Sequence, residues 1–120
     1  MMYEYKAKIT RVVDGDTLEA LIDVGFHTHV SSTLRLYGIN TPEKRTRDKE
    51  EKVRGIAASE RVSELLADCD NEVLVKSHGL GKYGRCLAEV LILQRDGSKR
   101  NLNSTLISEG HAVEYFGGSK

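Results

Sequence analysis

Three short runs, far apart in the chain, carry residue types that together suit phosphate chemistry. They are Asp14-Gly15-Asp16-Thr17, Arg35 with Asn40-Thr41-Pro42-Glu43, and Lys82-Tyr83-Gly84-Arg85. Hydrolysis of a phosphodiester requires an activated water, neutralisation of charge on the phosphorane-like transition state, and help for the leaving oxygen. Asp16, the Asn40 amide oxygen and the Thr41 carbonyl are hard oxygen donors that could hold Ca²⁺ or Mg²⁺. Glu43 could position the attacking water as a general base. Arg35 and Arg85 could grip the scissile phosphate through paired guanidinium donors, and Lys82 and Tyr83 could hold a neighbouring phosphate. Each run alone also has a plain reading, as a hairpin turn, a loop opener or a solvated loop. The combination is what points to a site, and Asn40 is its misfit, a neutral side chain where a cation prefers a carboxylate.

The elements that must position these residues follow from periodicity. Tyr3, Tyr5, Ala7 and Ile9 alternate with polar neighbours, as in a half-buried strand, and Asp14-Gly15 signals a tight turn. Leu18, Ala20, Ile22 and Val24 alternate again, so the first two strands predict a hairpin. The polar stretch from Gly25 to Thr33 reads as a long connection or bulged strand. Leu34 and Leu36 then share one face of a third strand, with Arg35 and Tyr37 on the other. Residues from Gly38 to Arg47 read as a loop, because Pro42 ends any ladder.

Asp48 and Glu51 resemble a capping box. After it, Val53, Ile56, Ala57, Val62, Leu65, Leu66 and Cys69 fall at helical spacing, up to a break at Asp70-Asn71. Val73 and Val75 mark a fourth strand, and the glycine-rich Ser77 to Gly84 a loop. Cys86, Ala88, Val90 and Ile92 mark a fifth strand. Asn101 can cap a short helix carrying Leu102, Leu106 and Ile107, with Gly110 as its stop. Five strands with a helix after the third and a short helix after the fifth predict a mainly β, α+β fold, a small Greek-key barrel of the OB type. An α+β sandwich with an open sheet is the alternative.

The 120 residues, with a single proline, suit one domain spanning 1–120. Basic and acidic residues balance at 18 each, so no global basic field announces nucleic acid. Lys44, Arg45, Arg47 and Lys49 are the best local attraction for phosphate. Cys69 and Cys86 lack metal-ligand spacing and read as buried free thiols. His27 and His29 have no third ligand nearby and read as exposed. No apolar run approaches the ~20 residues of a membrane span. The first ten residues lack the plan of a signal peptide, which points to the cytoplasm.

Val12-Val13-Asp14-Gly15-Asp16-Thr17, Leu34 to Glu43, Gly81-Lys82-Tyr83-Gly84-Arg85 and Leu106 to Ala112 closely resemble staphylococcal nuclease (thermonuclease) and its homologues. The resemblance runs from about Lys8 to Tyr115. It implies an OB-fold barrel and a Ca²⁺-dependent endonuclease, a phosphodiesterase acting on DNA and RNA that leaves 3′-phosphate ends. It makes Asp16 a calcium ligand, Thr41 a ligand through its carbonyl, and Glu43 the residue on the attacking water. It puts Arg35 and Arg85 on the scissile phosphate and Lys82 and Tyr83 on the terminal phosphate of the bound nucleotide. It places Tyr115 near the family's base-stacking tyrosine, with Phe116 an equal candidate.

Two departures stand out. Asn40 replaces the family's Asp, which removes one charge and should weaken calcium binding. The chain also reaches Lys120 with no room for the family's C-terminal helix, so the barrel is expected to stand without it, by oligomerising or by tighter packing; a monomer or a weak homo-oligomer is expected. The competing class is a non-catalytic nucleic-acid-binding module, and a generic OB interaction domain is a third.

Overall fold

Ala7 and Ile9 are buried in β1 (Glu4–Asp14) while Lys6 and Lys8 stay in solvent, so the period of two in the sequence becomes one wall of a barrel. The computed structural model describes residues 4–80 and 85–115. β1 pairs antiparallel with β2 (Thr17–Asp23), and β2 with β3 (His29–Leu36). β3 opens inside the stretch read as a long connection or bulged strand, because His29 to Ser32 find ladder partners on β2.

The chain then crosses through β4 (Ile39–Asn40) into the helix α1 (Lys49–Ala67) and returns as β5 (Glu72–Leu80) and β6 (Cys86–Leu93). β5 pairs antiparallel with both β1 and β6. The barrel of five strands is closed by parallel pairing of β3 with β6, at Leu34 with Cys86, Arg35 with Leu87 and Leu36 with Ala88. The open-sheet sandwich is thereby excluded.

Three short strands add to the five read from the sequence. β7 (Lys99–Asn101) extends β6, and β8 (Val113–Glu114), which follows the helix α2 (Leu102–Ser108), pairs with β4. Part of the expected loop from Gly38 to Arg47 is thus a tied strand, and the Tyr115 amide donates to the Gly38 carbonyl at 2.8 Å beside it. Leu18, Leu34, Leu36, Val75 and Val90 from the strands meet Val62, Leu66, Leu102 and Leu106 from the helices in one core, all essentially without exposure.

Asp48 caps α1 by accepting from the Glu50 and Glu51 amides, but the box is half made, since the Asp48 amide donates to Thr46 Oγ1 instead of Glu51. The break after α1 falls where expected: Asp70 and Asn71 take left-handed φ values of 55° and 64°, which short polar side chains tolerate. The inward face of α1 differs from the expectation in its first half. Val53 and Ile56 are exposed, at 67% and 39%, and Ala57 is exposed too. The buried row is Gly55, Ala58, Ser59, Val62, Leu65 and Leu66. Small residues occupy it because other backbone crosses close against the helix there. Asn101 caps α2 by accepting from the Ser104 amide at 3.0 Å, and Gly110 follows with φ 81°.

Cys69 and Cys86 are free but half-buried, not fully buried. Burial still pushes the Cys69 thiol up from its ordinary pKa. His27 and His29 are exposed, as expected. Among the described residues no helix is long and apolar enough to cross a membrane.

Candidate functional site

The β1–β2 hairpin turns through Gly15 and Asp16, with Asp14 facing Thr17. Neither turn residue takes a positive φ, so backbone freedom is not what requires the glycine. Space is. A Cβ at Gly15 would stand 2.9 Å from Ala58 Cβ on α1 and 3.1 Å from Thr41 Oγ1. The turn therefore lies flat against α1 and Thr41, which sinks Asp16 to 8% exposure.

A buried carboxylate must be satisfied, and Asp16 is. Its Oδ1 accepts from Thr17 Oγ1 at 3.0 Å and its Oδ2 from the Thr41 amide at 3.0 Å. The Asp16 carbonyl takes the Leu36 amide at 2.8 Å, which ties the turn to the end of β3. Arg35 completes the cluster. Its Nη2 lies 3.5 Å from Asp16 Oδ2 and donates to Asn40 Oδ1 at 3.3 Å, while Nη1 donates to the Leu36 carbonyl at 3.0 Å. One guanidinium nitrogen thus bridges the two side chains that the sequence reading nominated to share a cation. A positive group held between a carboxylate and an amide oxygen marks the spot as cation-favouring.

Asn103 on α2 fixes the chain between Arg35 and Asn40. Its Nδ2 donates to the carbonyls of Tyr37 and Ala88, at 2.9 and 3.0 Å, and its Oδ1 accepts from the Val90 amide at 3.1 Å. The Tyr37 ring stacks on His78 at 4.0 Å between centroids, and His78 Nε2 lies 3.5 Å from Glu89 Oε1. These contacts brace the turn into β4 against β5 and β6.

Asp16, Arg35, Asn40 and Thr41 are therefore brought together. Glu43 sits exposed on the loop after Thr41, its backbone against α1 at Gly55. Arg85 is half-buried just before β6, next to Cys86, whose register partner on β3 is Leu34. Tyr115 is half-buried after β8. Lys82, Tyr83 and Phe116 lie outside the described residues.

The reading from sequence named Asp14 within its first run but gave it no role; its Oδ1 is buried without a hydrogen-bond partner among the described residues, and the same holds for Thr41 Oγ1. The reading missed Asn103. Its only sequence signal was a polar residue one place after the apolar Leu102. Among the described residues no group of three or more His, Cys, Asp or Glu could hold a metal. Any cation there would rely on mixed oxygen donors. The set fits a hard cation in kind: the Asp16 carboxylate, the Asn40 amide oxygen and the Thr41 carbonyl, with the buried Thr41 Oγ1 lacking a hydrogen-bond partner among the described residues.

A closed five-stranded barrel with this cluster at the turn of its first hairpin defines a nuclease-like OB domain. Residues 33–120 match the family of staphylococcal nuclease homologues, and the chain belongs to that family. It is 30% identical over 118 residues to Protein ParB of Escherichia coli, covering 93% of this chain and 58% of that one. It is 32% identical over 119 residues to Endonuclease YhcR of Bacillus subtilis (strain 168), covering 94% of this chain and 9% of that one. The chain thus spans less than two thirds of either relative.

Proposed function

We propose that the chain is a metal-dependent endonuclease that hydrolyses phosphodiester bonds of DNA or RNA and leaves 3′-phosphate ends. Family membership and the likeness to an endonuclease support a nuclease or nucleic-acid-binding module. The observation that carries the finer reading is the part-buried Asp16–Arg35–Asn40 bridge with Glu43 close by in the chain.

Asp16, Asn40 and the Thr41 carbonyl would hold Ca²⁺, which when bound would supply positive charge against the phosphate oxygens. Arg35 and Arg85 receive the phosphate, and Arg35 releases Asp16 and Asn40 to do so. Glu43 takes a proton from the attacking water as its oxygen bonds to phosphorus. The phosphorus–O5′ bond breaks, the leaving O5′ takes a proton from solvent water, and the phosphate stays on the 3′ side. Lys82 and Tyr83 hold the adjoining phosphate, and Tyr115 stacks on a base. The chain works as a monomer or a weak homo-oligomer.

Incubation with single-stranded DNA, in Ca²⁺ and in chelator, tests the reading. Cleavage should require the metal and should fall at least about a hundredfold in Arg35→Ala and in Glu43→Ala. Binding without cleavage would instead establish the non-catalytic module. That second reading is favoured by Asn40 and by the lack of a carboxylate cluster among the described residues.

A further inference from the structure

Gly55 stands in the interior of α1, where glycine costs about 1 kcal/mol relative to alanine. Its φ is not positive, so a helical residue with a side chain would suit the backbone. What forbids one is the chain beside it. A Cβ at Gly55 would lie 2.5 Å from both the carbonyl carbon and the oxygen of Glu43, and 2.6 Å from the Lys44 nitrogen. These are backbone atoms, which cannot rotate aside as a flexible side chain could, so the loop itself would have to shift.

The same helix face, one turn on, receives the other half of the site, where Gly15 comes close to Ala58. Both acidic segments are thus measured from one surface. We infer that Gly55 is a positioning residue that sets the height of Glu43 above the Asp16–Arg35 cluster. Its absent side chain fixes where the base stands relative to the phosphate. The inference rests on the proposed role of Glu43 as the residue acting on the attacking water.

The test is a double-mutant cycle. Gly55→Ala should lower kcat at least tenfold, since a displacement near 1 Å at a reacting group costs up to about a hundredfold, while KM stays within about threefold. The loss should vanish in the Glu43→Ala background, because Gly55 acts through Glu43. Unchanged kcat, or an equal loss in that background, overturns the inference.

Two readouts need no turnover and separate this inference from the nuclease reading. In the wild-type protein an NMR cross-relaxation peak should join a Gly55 Hα to the Lys44 amide proton. In Gly55→Ala the largest amide shift changes should fall at Glu43 and Lys44. Both signals in a protein that cleaves nothing would overturn the nuclease reading and leave the seat of Glu43 standing. Absence of the wild-type peak overturns the inference whether or not Gly55→Ala folds.

Discussion

Asn40 sets how much negative charge faces Arg35. As an amide it accepts one hydrogen bond from the guanidinium and adds no charge, so Asp16 alone forms the ion pair. Asn40→Asp would place a second carboxylate on the same nitrogen and raise the charge of the donor set. Calcium affinity follows ligand charge. We expect Asn40→Asp to tighten Ca²⁺ binding about tenfold, or about 1.4 kcal/mol, as read by titration calorimetry. An unchanged Kd would mean that the two side chains do not share a cation.

The cluster of Asp16, Arg35, Asn40 and Thr41 could be nominated at this scale from side-chain chemistry and local spacing. The inward hold on Arg35 could not be read. It depends on Asp16 being buried, and that burial comes from the fit of Gly15 against α1.

At the level of elements, α1 shows what periodicity cannot see. The spacing of apolar residues selects Val53 and Ile56, yet both are exposed, and Gly55, Ala58 and Ser59 face inward. Hydrophobicity ranks large side chains first, whereas a face crossed closely by other backbone needs small ones.

The two helices are joined by charge. Arg61 on α1 donates to both oxygens of Glu109 at the C-cap of α2, at 2.7 and 2.9 Å, with Arg100 at 3.7 Å. The Arg61 hydrogen bond holds the Glu109 carboxyl below its ordinary pKa. A depressed acid stabilises the fold above its unfolded-state pKa and ceases to as pH falls through the folded value. Stability should therefore decline below the ordinary value of 4.5, and Glu109→Gln should flatten that limb in thermal melts. Asn103→Leu should cost roughly 3 kcal/mol in denaturant unfolding, because it takes the Asn103 partner from the Tyr37 carbonyl and the Val90 amide, while the Ala88 carbonyl keeps the Tyr37 amide.

The whole molecule carries no net charge, so attraction for a polyanion has to come from patches. Lys44, Arg45, Arg47 and Lys49, at the loop leading into α1, are the available cluster. Four such contacts to a single strand predict a slope of about −3 in log affinity against log salt. A fluorescence-anisotropy titration across salt would measure it, and a much steeper slope would mean that other faces join in. The barrel was legible because most of its strands alternate; the polar start of β3 and the 77–80 end of β5 were not, nor were β4, β7 and β8, whose two or three residues leave no period to detect.

The parallel seam between β3 and β6 has a consequence for how the chain is made. Asp16, Arg35, Asn40 and Thr41 all leave the ribosome before Ala88, Asn103 and Tyr115, yet the turn that carries Asn40 is fastened by those later residues. Ala88 takes the Tyr37 amide, Asn103 takes the Tyr37 carbonyl, and the Tyr115 amide takes the carbonyl of Gly38. Until those residues have been synthesised, these three bonds cannot form, although Asp16 and Arg35 already reach Thr41 and Asn40, and pairing between distant segments is the slow part of folding. A nascent chain translated on its own messenger therefore carries the residues of the site before it carries the site.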